Sequence, residues 1–343
     1  MNFDVAMPLT LFTITVFAMY LNDKAEKKLK AVFEEREFKV RDAVLLVAAI
    51  SVAVSIIALI PQMAIMTIFL FAYSLLLFIF TYIFSDLKKA QAELFCLAFT
   101  IVGFVAGTIS LFSSIFSDVC LAYGAAALYC LCGFSLVALV YEENRSRTVE
   151  RWYLAVMPSA LFLALYLFFN RTAIWFPYLL NIYGLIFAVL IILYFGSLFT
   201  WKTTLFFTGL LTAADVVLVL VTRSMVSATT HVSNLRLPVL IVLPTFPQIT
   251  TSWGVLFMSL GLGDLFFAGL LAVQTYKKFG RNIALFSSVA MAVSFFIFEA
   301  FILNFGINAF PGTVMIICGW LPVMLFAYLK AKMAAKTSTS PLQ

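Results

Sequence analysis

Three acidic residues lie where an ionisable group is hardest to keep. Asp215, Asp264 and Glu299 each sit inside a long apolar run, and no lysine, arginine or histidine shares any of those runs. An ionised side chain at the centre of a bilayer costs about 3 kcal/mol on insertion scales, so such a residue marks a site that faces protein or water. Asp215 and Asp264 are 49 residues apart, on runs that cross in opposite directions. At about 1.5 Å per helical residue, Asp215 lies roughly 12 Å and Asp264 roughly 16 Å below the same face. Two carboxyls at one depth in a low-dielectric site share a proton rather than both ionising. Such a pair can take a proton from water and give one to a carbonyl oxygen, which is hydrolytic acid–base chemistry. It requires no metal, nucleotide or other cofactor. Glu299, about four residues from the outer edge of its run, reads instead as a side chain reaching up to the interface. His231 has no Cys, Asp or Glu near it in sequence, which points away from a metal site.

The elements that must position these acids are membrane helices. Of the 343 residues 64% are hydrophobic and 11% charged, which excludes a pair of soluble domains. Apolar runs fall at 3–21, 43–60, 63–84, 94–116, 119–140, 152–169, 179–199, 203–222, 253–273, 283–303 and 311–329. Each is about twenty residues long, the length of a helical crossing and about twice that of a barrel strand. The expectation is an all-α polytopic membrane protein of about eleven transmembrane helices. With that many spans, 19 of the 22 basic residues fall on one side, and Arg171, Arg223 and Arg236 on the other. The positive-inside rule makes the 19 cytoplasmic, with the N-terminus outside and the C-terminus in the cytoplasm. The basic excess then records topology, and nucleic acid is not an expected partner.

The linkers divide the chain further. Residues 1–200 hold about seven spans, 201–330 hold both aspartates and a proline-marked last helix, and 331–343 form a cytoplasmic tail. Tight turns are expected at Pro61-Gln62 and Ser117-Asp118. Residues 22–42 read either as an amphipathic interfacial helix or as a solvated loop. Residues 223–252 form an outer stretch with Pro238, Pro244 and Pro247 around an apolar core from Leu237 to Phe246. Gly103 and Gly107 form a small-xxx-small pair that lets helices approach. Five cysteines in apolar surroundings give no disulfide framework.

The residues before the second aspartate carry a resemblance. Gly261-Leu262-Gly263-Asp264, two glycines that let another chain come close, resembles the Gly-x-Gly-Asp of the presenilin and signal peptide peptidase family of intramembrane aspartyl proteases. Gly269 follows, as in the signal peptide peptidase branch. The Pro-flanked run Leu237 to Pro244 is similar to that branch's segment between the two aspartates, and the direction of the two spans agrees with it. The resemblance covers residues 200–330 and implies that Asp215 and Asp264 are catalytic. It implies substrate-side support from Gly261, Leu262 and Gly263, and from Pro311-Gly312-Thr313 in place of the family's Pro-Ala-Leu, with Pro322 the lesser alternative. A substrate helix must unwind to be cut, and Leu237 to Leu243, with Leu240 at its middle, or the chain near Pro311, is expected to pair with it as an added strand. It further implies a core of nine spans, exceeded here by two. Substrates would be single-span membrane proteins or signal-peptide remnants with a cytoplasmic N-terminus. Departures are Ala214 where the family has tyrosine, and Gly312-Thr313 where its last motif has Ala-Leu. Two other readings remain open: a proton- or cation-coupled secondary transporter using the intramembrane acids, and a catalytically silent helix-binding relative.

Overall fold

The computed structural model of the chain describes residues 2–33, 37–57, 60–114, 119–144, 151–251, 254–307 and 309–338. The Ser117-Asp118 turn, Arg36, Arg145, Arg147 and residues 339–343 lie outside the described residues. Long helices follow the apolar runs: α1 (Ala6–Phe33), α2 (Val40–Ile57), α3 (Gln62–Ile83), α4 (Lys89–Ser114), α5 (Val119–Glu143) and α6 (Trp152–Phe169). Next come α7 (Leu180–Leu198), α8 (Trp201–Val216) and a short α9 (Ser224–Asn234). Four strands follow, β1 (Leu240–Pro244), β2 (Thr250–Thr251), β3 (Gly254–Val255) and β4 (Phe257–Gly261). The chain ends in α10 (Leu262–Phe279), α11 (Arg281–Phe305) and α12 (Gly312–Ser338). Among the described residues nine helices are long and apolar enough to cross a bilayer. The protein is therefore a helical, multi-pass membrane protein. Two expected spans fall outside those nine: α1, whose second half is charged, and α10, which is 18 residues long and carries Asp264, Lys277 and Lys278.

Three local readings change. Residues 22–33 are neither a loop nor a separate interfacial helix, because α1 runs unbroken from Ala6 to Phe33 and buries Ala25 and Leu29. The outer stretch contains α9 and a hairpin rather than an irregular loop. The expected span at 253–273 is helical only from Leu262. Its first part is extended because Gly254, Ser259 and Gly261 are poor helix formers and Val255 is β-branched.

The chain divides into two compact units, residues 1–62 with 183–343, and residues 63–182. In the second unit α4 and α5 lie side by side. The Gly103 position is so close to α5 that an added Cβ would stand 3.0 Å from the Leu128 carbonyl oxygen, the close approach that small residues permit. At one end of this unit a buried ion pair joins three segments. Arg151 donates from Nε to Glu142 Oε1 at 2.8 Å and from Nη1 to the Leu87 carbonyl at 2.6 Å. Their side chains are 5% and 1% exposed. Removing one partner of such a pair strands the other's charge. Arg151→Ala is expected to destabilise the protein by about 3–5 kcal/mol, read as a lower melting temperature in detergent. An unchanged melting temperature would show that the pair contributes nothing.

In the first unit α10 is the central helix: every side chain from Leu265 to Thr275 is buried. It packs against α1, α8, α11 and α12. One end of this unit collects charge. Glu26 of α1 bridges Lys277 at 2.8 Å and Lys30 at 2.9 Å. Burial works to raise the Glu26 carboxyl, but the hydrogen bonds from Lys277 and Lys30 outweigh it and hold it below the usual glutamate range. Lys277 Nζ and Gln274 Nε2 also donate to the Gly196 carbonyl, and Gln274 to that of Phe199, so α10 caps the end of α7. At the opposite end, Asp4 accepts from the amides of Ala6, Met7 and Phe246. That N-cap of α1 thereby ties the tip of the hairpin to the helix start. Glu299 is 2% exposed. It lies on the inward face of α11 near the Asp4 carboxylate, so it faces protein rather than the surrounding medium.

Candidate active site

Asp215 is the penultimate residue of α8, and the next five residues, Val217–Val221, form one wide π-helical turn. Such turns interrupt α-helices frequently at functional sites. Asp264 comes from the opposite kind of position, the first turn of α10. Gly261 is the N-cap with extended φ and ψ, Leu262 and Gly263 follow, and Asp264 is third. There its carboxylate meets the positive end of the helix dipole, which partly offsets the loss of water.

A third helix start joins them. The first turn of α12 begins Pro311-Gly312-Thr313, and its initial amides have no partner inside the helix. Thr313 donates to Asp215 Oδ2 twice, from Oγ1 at 2.6 Å and from its backbone amide at 3.3 Å. The preceding residue, Gly312, lies directly against the other acid. A Cβ placed there would stand within 2.8 Å of Asp264 Oδ2 and closer still to the rest of that carboxylate. One dipeptide thus touches both aspartates, which are near enough to feel each other's charge. Proline at 311 suits a helix start, since it lacks the amide that would otherwise go unpaired. Thr313 and Pro311 are buried, whereas Asp215, Asp264 and Gly312 are half-buried and Gly263 is exposed.

The hairpin arrives at the same place. β1 and β4 pair antiparallel, with Leu240 opposite Gly261 and Pro244 opposite Phe257. Bonds from Leu262 N to Val239 O and from Thr245 N to Leu256 O bracket this register. Alternation then turns the amides and carbonyls of Leu240, Ser259 and Gly261 away from the partner strand. The two outer edges differ. Leu240 O faces Gly184 of α7, at 3.9 Å from a Cβ placed there. The β4 edge instead runs into Gly261, where an added Cβ would lie 3.2 Å from Asp264 Oδ2.

Of the residues that sequence assigned to the site, Asp215, Asp264, Gly261, Leu262, Gly263, Leu240, Pro311, Gly312 and Thr313 lie in this region, whereas Pro322 sits inside α12, three turns beyond Gly312. His231 is on α9, and among the described residues no group of three His, Cys, Asp or Glu could hold a metal. What sequence reasoning missed is β4. Its signal was present in the small residues Ser259 and Gly261 alternating with Met258 and Leu260, masked by a hydropathy as high as that of a helix. No family model, curated protein or solved structure matches the chain.

Proposed function

We propose that the protein is an intramembrane aspartyl protease that hydrolyses peptide bonds within transmembrane helices or signal-peptide remnants. The observation that carries this reading is the Gly312-Thr313 dipeptide, which links Asp215 and Asp264 from separate helices. The resemblance of Gly261-Leu262-Gly263-Asp264 to the presenilin and signal peptide peptidase motif supports it. Asp215, whose Oδ2 receives two donors, is the base that takes a proton from water. Asp264, against which Gly312 packs without a side chain, gives a proton to the scissile carbonyl. The chain is taken to cross about eleven times, with the lysine-rich ends in the cytoplasm and the N-terminus outside. That orientation fits substrates whose own N-terminus is cytoplasmic. No cofactor enters the chemistry.

Thr313 holds the charged member of the pair. A hydrogen bond to a charged group contributes about 1.5–3 kcal/mol. Thr313→Val, which keeps the backbone bond, is expected to slow cleavage by about tenfold or more, with Thr313→Ser near wild type. Equal rates for all three would remove Thr313 from the site.

A helical substrate must unwind before its carbonyl reaches the aspartates, and exposed backbone in hydrocarbon needs replacement partners. The outward edge of β4 supplies them by strand addition, delivering the substrate past Ser259 and Gly261 to Asp264. Ser259→Pro removes an outward amide without touching a bond to β1, and is expected to cut cleavage by about tenfold, since each lost backbone bond is worth about 1 kcal/mol. Leu240→Pro, on the edge that faces α7, should have the smaller effect. The reverse order would move the substrate to β1.

The reading as a whole is tested by incubating the purified protein in bilayers with a panel of single-span peptides, alongside ion-uptake measurements in sealed vesicles. Cleavage supports the protease. Intact peptides together with coupled uptake would support the transporter.

A further inference from the structure

Many threonines in the helices of this chain share one habit. Thr10, Thr13, Thr67, Thr100, Thr108, Thr229 and Thr230 each donate their hydroxyl to the carbonyl four residues back, the usual way a helix satisfies such a group. On α8, Thr204 and Thr212 do the same, to the Thr200 and Thr208 carbonyls at 2.8 Å each. Thr208, between them, does not. Its side chain is buried, 6% exposed, yet among the described residues its hydroxyl has no hydrogen-bond partner. A buried polar atom left without a protein partner calls for another explanation, most simply an ordered water.

The position gives that water a purpose. Thr204, Thr208 and Asp215 are spaced four and seven residues apart, so at 3.6 residues per turn they share one face of α8. Thr208 is two turns, about 10 Å, from Asp215, a gap that three or four waters at about 2.8 Å spacing would cross. At the other end of the ladder lies a cavity of about 210 Å³ lined by Ser197, Thr200, Gln274, Lys277 and Lys278 among others. It is polar and large enough for several waters. We infer that the hydroxyl-bearing face of α8 is a water path, running from this lysine-lined vestibule past Thr204, Thr208 and Thr212 to Asp215. It rests on the protease reading for the use made of the water, though the path itself is a property of the fold.

The two are separated by two readouts. In sealed vesicles, Thr208→Cys is expected to react with the impermeant reagent methanethiosulfonate-ethyltrimethylammonium from the side on which Lys278→Cys reacts, with peptide mass spectrometry locating the adduct at position 208. No reaction at 208 while 278 reacts, or reaction only from the opposite side, overturns the path whether or not the protein cleaves anything. With a cleavable peptide, Thr208→Val should lower kcat by about fivefold, the equivalent of one hydrogen bond of about 1 kcal/mol, with KM unchanged. Thr208→Ser should restore it. An undiminished kcat in Thr208→Val overturns the path while leaving the protease reading intact, and absence of cleavage in the wild type overturns that reading alone.

Discussion

Asp215→Asn and Asp264→Asn should each abolish peptide hydrolysis, by about 10³-fold or more, because each removes one half of the proton transfer that the reaction needs. General acid–base assistance by a positioned side chain contributes about 10² to 10⁴ in rate, and the two acids act as a unit, so the double variant should be no worse than either single one. Asparagine keeps the size of the side chain and can still accept from Thr313 Oγ1 and its amide. The fold of α8 and α12 is therefore expected to persist, which circular dichroism and an unchanged elution volume would check. Cleavage that survives either substitution would sink the assignment of a dyad.

Gly312→Ala is the second large effect. The added methyl would enter the space of the Asp264 carboxylate, with Oδ2 at 2.8 Å from the ideal Cβ. Something must move, and the nearest movable groups are the acid itself and the start of α12. Displacing a reacting group by about 1 Å can cost 10²-fold in rate. Overpacking costs about 1–3 kcal/mol in stability. The prediction is thus a loss of about 10²-fold in kcat with a modest fall in melting temperature. Gly319→Ala provides the contrast, since its Cβ would strike the Ala290 backbone of α11. That substitution should lower stability more than it alters the chemistry. Activity near wild type in Gly312→Ala would mean that α12 does not close over the aspartates in the working state.

Much of this arrangement could be read from residue types alone, for physical reasons that differ by element. The helices were legible because runs such as 63–84 and 283–303 are apolar all round and of bilayer length, and α3 and α11 coincide with them. Asp215 and Asp264 stood out because a charge in such a run must be explained. The Gly-x-Gly before Asp264 was read as room for another chain, whereas it also begins α10. Other features depend on pairing, which hydropathy does not encode. β4 looked like the first half of a span because Phe257, Met258 and Leu260 are as apolar as any helix. Its partner Leu240–Pro244 was visible only as a proline-flanked run. The fate of Glu299 turned on Asp4, nearly 300 residues away, and no local pattern could place the two acids side by side. α1 was misread past Asn22 for a related reason. Its charges suggest solvent, yet Asp23 and Glu26 are taken up by Tyr276 and Lys277 of α10.

These same long-range ties set the position of the site. α10 is held at its far end by Glu26, Gly196 and Phe199, and along its length Thr275 accepts from Trp320 of α12 at 3.0 Å. The helix that carries Asp264 is thus fixed against the helix whose first turn carries Gly312 and Thr313. A constellation supported on rigid helices keeps its geometry better than one on loops, and the one extended element near it, β4, is where a substrate strand would be received.

The most direct test of the proposal is hydrolysis in labelled water. The purified protein in a bilayer, given a single-span peptide in water enriched in oxygen-18, is predicted to yield two fragments. The cut should fall within the apolar segment, and the new C-terminal carboxyl should carry one heavy oxygen. A peptide that stays intact under these conditions, in vesicles that accumulate protons or a cation together with a solute, would contradict it.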